Sequence, residues 1–105
     1  MTYSIFWLEN AKQAFERQKN WYLNMMGKQA AKKFTNSILK DTERLGTFPY
    51  LGQIEPLLED LPEQYRSLVS GKHFKIVYFI ENATIYIVAL RDCRQAPDLF
   101  TNTFF

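Results

Sequence analysis

The hydrophobic residues change period partway along this chain, and that switch restricts its fold more than any other feature. Ala11, Ala14, Phe15, Gln18, Tyr22 and Met25 recur at three- and four-residue steps, with charges between them. Such spacing lays one apolar stripe along an α-helix. Gly27 interrupts the stripe, and a second helical period runs through Ala31, Phe34, Ile38 and Leu45. Lys28, Lys32, Lys33, Lys40 and Arg44 fall on its outer face, read here as the wet side of an amphipathic helix. Asn10 stands where the first helix needs a cap, and Gly46, followed by Pro49, where the second should end. Two helices joined so closely form an antiparallel hairpin.

From Phe48 to Glu63 the chain carries Pro49, Gly52, Pro56 and Pro62 among scattered acids and reads as a structured loop. Beyond it, β-branched and aromatic residues concentrate in Tyr65–Val69, Phe74–Ile80 and Thr84–Leu90, separated by turns at Ser70–Lys72 and Glu81–Ala83. Three such runs make an antiparallel meander. On the middle strand Lys75 and Val77 share one face, while Ile76 and Tyr78 share the other. The last strand is nearly all apolar and should be covered on both faces. Tyr3–Leu8 supplies an earlier strand. The order β-α-α-β-β-β predicts an α+β fold: an N-terminal strand and an antiparallel helical hairpin packed on an antiparallel sheet whose last three strands form a meander. Trp21, Tyr22 and Phe34 are expected in its core.

At 105 residues the chain holds one domain, placed here at residues 1–97, with an apolar tail over 98–105. That tail, with Phe100, Phe104 and Phe105, should dock on its own domain or on a partner. With 13 basic against 11 acidic side chains, the overall charge does not announce a nucleic-acid binder. Cys93 is the only cysteine and His73 the only histidine. No disulfide can form within the chain, no zinc set is available, and no metal or cofactor is expected. Cys93 is read as a structural thiol and His73 as a surface or hydrogen-bonding residue. Apolar runs are short and the start lacks a signal-peptide pattern, so no membrane association is expected and a cytoplasmic location is.

Several short segments, in order, resemble the RelE/ParE toxin superfamily of type II toxin–antitoxin (plasmid stabilisation) systems. They are Trp21-Tyr22, Gly27 and Phe34, then Phe48-Pro49-Tyr50-Leu51-Gly52 and Tyr65-Arg66-Ser67-Leu68-Val69. His73-Phe74-Lys75-Ile76-Val77-Tyr78 and Arg91-Asp92-Cys93-Arg94-Gln95-Ala96-Pro97 complete the set. The resemblance implies one of two activities: ribosome-dependent cleavage of messenger RNA, as in RelE-type members, or inhibition of DNA gyrase, as in ParE-type members. Cleavage needs cations to hold and polarise a phosphate and a group to manage a proton. Arg66 and Lys75 match basic positions of the RelE type, and Arg91 and Arg94 could add to them. However, Leu68 stands where another base is expected, and no Tyr or His follows Tyr86.

The chain therefore looks closer to ParE: a gyrase inhibitor rather than an enzyme, neutralised by a cognate antitoxin. Arg91, Arg94 and Phe100 are expected at the target contact. The alternatives are an mRNA endoribonuclease built on Arg66, Lys75, Arg91 and Arg94, with ribosome and mRNA as partners, and a non-toxic binding module on the same fold. A homodimer or a toxin–antitoxin hetero-oligomer is compatible with each. On the plainest reading, Arg66 and Lys75 are solvated strand residues or ion-pair partners of the loop acids Glu55, Glu59, Asp60 and Glu63.

Overall fold

The structure, a computed structural model, describes residues 2–71 and 73–93. It places β1 at Ser4–Trp7, α1 at Glu9–Met26, α2 at Lys28–Thr47, β2 at Gln53–Ile54, β3 at Arg66–Ser70, β4 at Phe74–Glu81 and β5 at Thr84–Asp92. The α+β order expected from the sequence is present. The strands form one sheet in the order β1-β5-β4-β3-β2. β3, β4 and β5 make the antiparallel meander, while β1 runs parallel to β5 and makes the sheet mixed. The expected loop also contains β2, paired to β3, and a single 3-10 turn at Pro56–Leu58.

The helical hairpin covers one face of the sheet. Ala11 and Leu45 pack there against Ile76, Tyr78, Ile85 and Ile87, all fully buried. An aromatic chain extends this core: Trp7 stacks on Phe15 with ring centroids 5.3 Å apart, and Phe34 meets both Tyr22 at 5.0 Å and Phe74 at 5.2 Å. The opposite face is covered by the segment after β2, where Leu58 and Tyr65 pack on Val77 and Val88. β5 is thus enclosed on both sides, as its apolar sequence required. Each of these large side chains contributes about 1.5–3 kcal/mol when removed from water.

Three local expectations are corrected. Asn10 lies inside α1, which starts at Glu9 with Leu8 as its N-cap residue and no side-chain cap. The Leu8 N–H donates to the Ile87 carbonyl at 2.9 Å, so the strand delivers the chain straight into the helix. Gly46 lies within α2 and does not end it. Its carbonyl accepts from the Tyr3 N–H at 2.8 Å, and a Cβ there would stand 3.1 Å from the Tyr3 carbonyl oxygen. The residue is small because β1 crosses close over it. Trp21 is exposed, whereas Phe34 is buried and Tyr22 half-buried. The neighbouring Tyr22 takes the inward position, stacked on Phe34, which in turn packs on Phe74 of β4.

Gly27 separates the helices with φ 98°, a conformation that disfavours side-chain-bearing residues. The β4–β5 connection is a two-residue turn, because Glu81 pairs with Thr84. Asn82 and Ala83 hold φ of 51° and 59°, the paired positive values of a type I′ hairpin. Among the described residues no helix is long and apolar enough to cross a membrane.

Candidate functional site

The resemblance directs attention to the basic residues of the meander, and the segment from Phe48 to Tyr65 decides what they can do. This segment wraps around the β3 edge of the sheet and is pinned from both faces. On the helix side, the Tyr78 hydroxyl donates to the Pro49 carbonyl at 2.8 Å and accepts from the Gly52 N–H at 2.9 Å. Arg66, directly opposite Tyr78 in the ladder, donates to the Gly52 carbonyl at 2.9 Å. Its guanidinium also lies 5.0 Å from the Tyr50 ring centroid, a cation–π distance. Gly52 has no room for a side chain: a Cβ would fall 2.7 Å from both the Ser67 carbonyl oxygen and the Tyr78 hydroxyl.

On the other side the pin is Glu55, whose side chain is 0% exposed. One carboxylate oxygen accepts from the Ser67 hydroxyl at 2.6 Å and from the Lys75 ammonium at 3.3 Å. The other accepts from the Leu57 N–H at 3.3 Å, which caps the 3-10 turn behind Pro56. A buried charge survives only when paired and hydrogen-bonded, and these three donors meet that condition. The plain reading of Lys75 therefore holds, with Glu55 as its partner. Glu55 was legible only as one loop acid among four. A sharper signal was its place immediately before Pro56, where a carboxylate can cap the first turn of a helix.

Of the four candidate RNase residues, Arg66 and Lys75 are both bonded to their own chain. Lys75 faces Arg91 across the β4–β5 ladder, so two cations share that row, but only 7% of Arg91 is exposed. Arg94 and Phe100 lie outside the described residues, as does the 98–105 tail. A cleft of about 290 Å³ opens beside Arg66. Glu63 and Glu81 line it as well, and two carboxylates there repel a phosphate. Leu68 packs in the helix-side core.

Burial pushes the Tyr78 phenol above the ordinary tyrosine value, with the Gly52 hydrogen bond and the Arg66 charge pulling the other way. Tyr65 is raised as well, by burial first and then by the charge and hydrogen bond of Glu63. Neither phenol is a ready proton acceptor near neutral pH. Cys93 is exposed, and its N–H donates to the His73 carbonyl, extending the β4–β5 ladder. Among the described residues no group of His, Cys, Asp and Glu is placed to hold a metal ion.

The family described as "ParE toxin of type II toxin-antitoxin system, parDE" matches residues 5–97. Among solved structures, a chain from "Chromosomal ParDE TA system from P. aeruginosa" is similar, with a TM-score of 0.71 at 18% identity. The match covers 87% of this chain and 96% of that one; at this identity it speaks for the fold. No curated protein matches.

Proposed function

The chain belongs to the ParE toxin family of type II toxin–antitoxin systems, and we propose that it acts by inhibiting DNA gyrase until a cognate antitoxin neutralises it. The observation that carries this reading is the internal ion pair of Lys75. Phosphodiester cleavage draws on cations aimed at the place where negative charge develops. Here the Lys75 ammonium is held by the buried carboxylate of Glu55, and Arg66 is spent on the Gly52 carbonyl and the Tyr50 ring. A side chain so engaged would have to break these contacts, leaving Glu55 unpaired in the interior, before it met an RNA phosphate. The acidic lining of the cleft beside Arg66 weighs the same way.

The gyrase contact is assigned to the end of β5 and the chain beyond it, through Arg91, Arg94 and Phe100. Arg91 exposes little of itself, so Arg94 and Phe100 carry most of that assignment. The test is induction of the chain from a tightly repressed promoter in a bacterium, following thymidine and methionine incorporation. Early loss of DNA synthesis with translation intact is expected. Early loss of translation would replace gyrase with the ribosome, and continued growth with soluble protein accumulating would favour a non-toxic module.

A further inference from the structure

The short third strand leaves a gap in the sheet that the toxin reading does not use. β3 begins at Arg66, opposite Tyr78, whereas β4 runs on to Glu81. Among the described residues, Phe79, Ile80 and Glu81 are paired only to β5. On their other side residues 63–66 stand off and leave the cleft of about 290 Å³. Its charged lining is Glu63, Glu81 and Arg66, and the Arg66 guanidinium is held by the Gly52 carbonyl and the Tyr50 ring. The Tyr65 hydroxyl donates to one oxygen of Glu63 at 3.3 Å. Among the described residues neither Glu63 nor Glu81 pairs with a cation. An aromatic row leads away from the cleft on the sheet face opposite the hairpin, where Phe79 packs beside Tyr65 and Val77. Phe79 stacks on Tyr86 with centroids 4.9 Å apart, and Tyr86 meets Phe6 at 5.8 Å. Phe6, at the far end, is 53% exposed.

We propose that the cleft and this row are the docking surface for an arginine-bearing extended segment of a protein partner. A guanidinium would lie between Glu63 and Glu81, and apolar side chains would cover Phe79, Tyr86 and Phe6. From Glu55 to Glu63 the chain carries four acids and no base. Glu59 and Asp60 are exposed there, so the approach to the cleft is negative and draws a cation. Arginine suits it better than lysine. Its planar fork pairs with carboxylates and stacks on rings, whereas an ammonium is compact and strongly hydrated. A nucleic-acid strand would find rings to stack on, but its phosphates would meet the carboxylates. A bare metal ion would use the carboxylates and leave the rings uncovered. Phe6 lies two strand spacings from Phe79, about 10 Å, which about three extended residues span. Nothing in this surface depends on whether gyrase is the target.

The isotope-labelled chain is titrated with a short synthetic peptide carrying two arginines among leucines and glycines. Lysine and citrulline versions, magnesium ion and a single-stranded DNA oligonucleotide serve as rivals; citrulline keeps the shape of arginine without its charge. The arginine peptide should shift amide signals within residues 63–66 and 79–86. The lysine version should bind more weakly, and the citrulline version should leave those signals in place. The E63Q/E81Q variant, altered only at exposed side chains, should bind the arginine peptide at least about fivefold more weakly, as two partly exposed ion pairs are lost. That difference should shrink with salt. The exposed F6S variant should weaken binding without changing the salt dependence.

Undiminished binding by E63Q/E81Q, or equal binding of the arginine and citrulline peptides, would overturn the proposal. So would shifts confined to other residues, or no shift at about millimolar peptide. Displacement of the peptide by magnesium ion would reduce the cleft to a plain acidic patch, and preference for the oligonucleotide would exchange the partner's class; either result refutes the assignment.

Discussion

Replacing Lys75 with methionine separates a structural lysine from a catalytic one. The substitution keeps the aliphatic stem and removes the charge, leaving Glu55 fully buried with only the Ser67 hydroxyl and the Leu57 N–H as donors. Breaking a buried pair from one side costs about 3–5 kcal/mol. Lys75 retains 25% exposure, so the lower end, about 3 kcal/mol, applies. For a domain of this size that lowers Tm by roughly 10–20 °C. Glu55→Leu removes the buried charge itself and lets Lys75 reach water, but strands the Ser67 hydroxyl and the Leu57 N–H, a loss of about 2 kcal/mol. The double variant E55L/K75M leaves neither charge buried. Its loss should fall short of the summed singles by at least about 1 kcal/mol. Urea unfolding of all four proteins measures the cycle. If Lys75→Met left stability within about 0.5 kcal/mol, the level of an ordinary surface change, the pair would not be holding this segment and the reasoning would fail.

Tyr78→Phe strands the buried Gly52 N–H and the Pro49 carbonyl and should cost about 2 kcal/mol at neutral pH. The Tyr78 and Tyr65 phenols are raised in the folded state, so the fold binds their protons more tightly than the unfolded chain does. Their contribution is complete below the unfolded tyrosine value of about 10 and is lost as pH rises through the folded values. Wild-type stability should therefore drop on the alkaline side, with a shallower drop in Tyr78→Phe; parallel alkaline limbs in urea melts would contradict this. Ala83→Gly relieves an alanine held at φ 59° and should raise stability by about 1 kcal/mol. An unchanged or lower Tm would mean the turn is not strained there.

The period switch was enough to place both helices and the meander, because core-facing residues must repeat at the spacing of the element that carries them. Helix ends were less legible. Asn10 and Gly46 carry the local chemistry of caps, yet the contact of Leu8 with β5 and of Gly46 with Tyr3 overrode it. Local preference is weaker than a packed tertiary contact. Trp21 was expected in the core for its size, but the stripe already ran through its neighbour Tyr22, which takes the inward position against Phe34 while Trp21 is exposed. Lys75 was legible as a cation with acids in the loop before it. Which acid it meets depends on how the chain turns at Gly52 and Pro56, and that is set by contacts more than 20 residues away in sequence, such as Gly52 with Tyr78. The parallel pairing of β1 with β5 lies beyond any local signal.

Inhibition of gyrase is tested most directly with purified chain, purified gyrase and relaxed plasmid, alongside programmed ribosomes carrying a defined mRNA. The account predicts that supercoiling stops as the chain approaches the gyrase concentration, while the mRNA stays intact. Undisturbed supercoiling at large molar excess, with cleavage of the ribosome-bound mRNA, would contradict it.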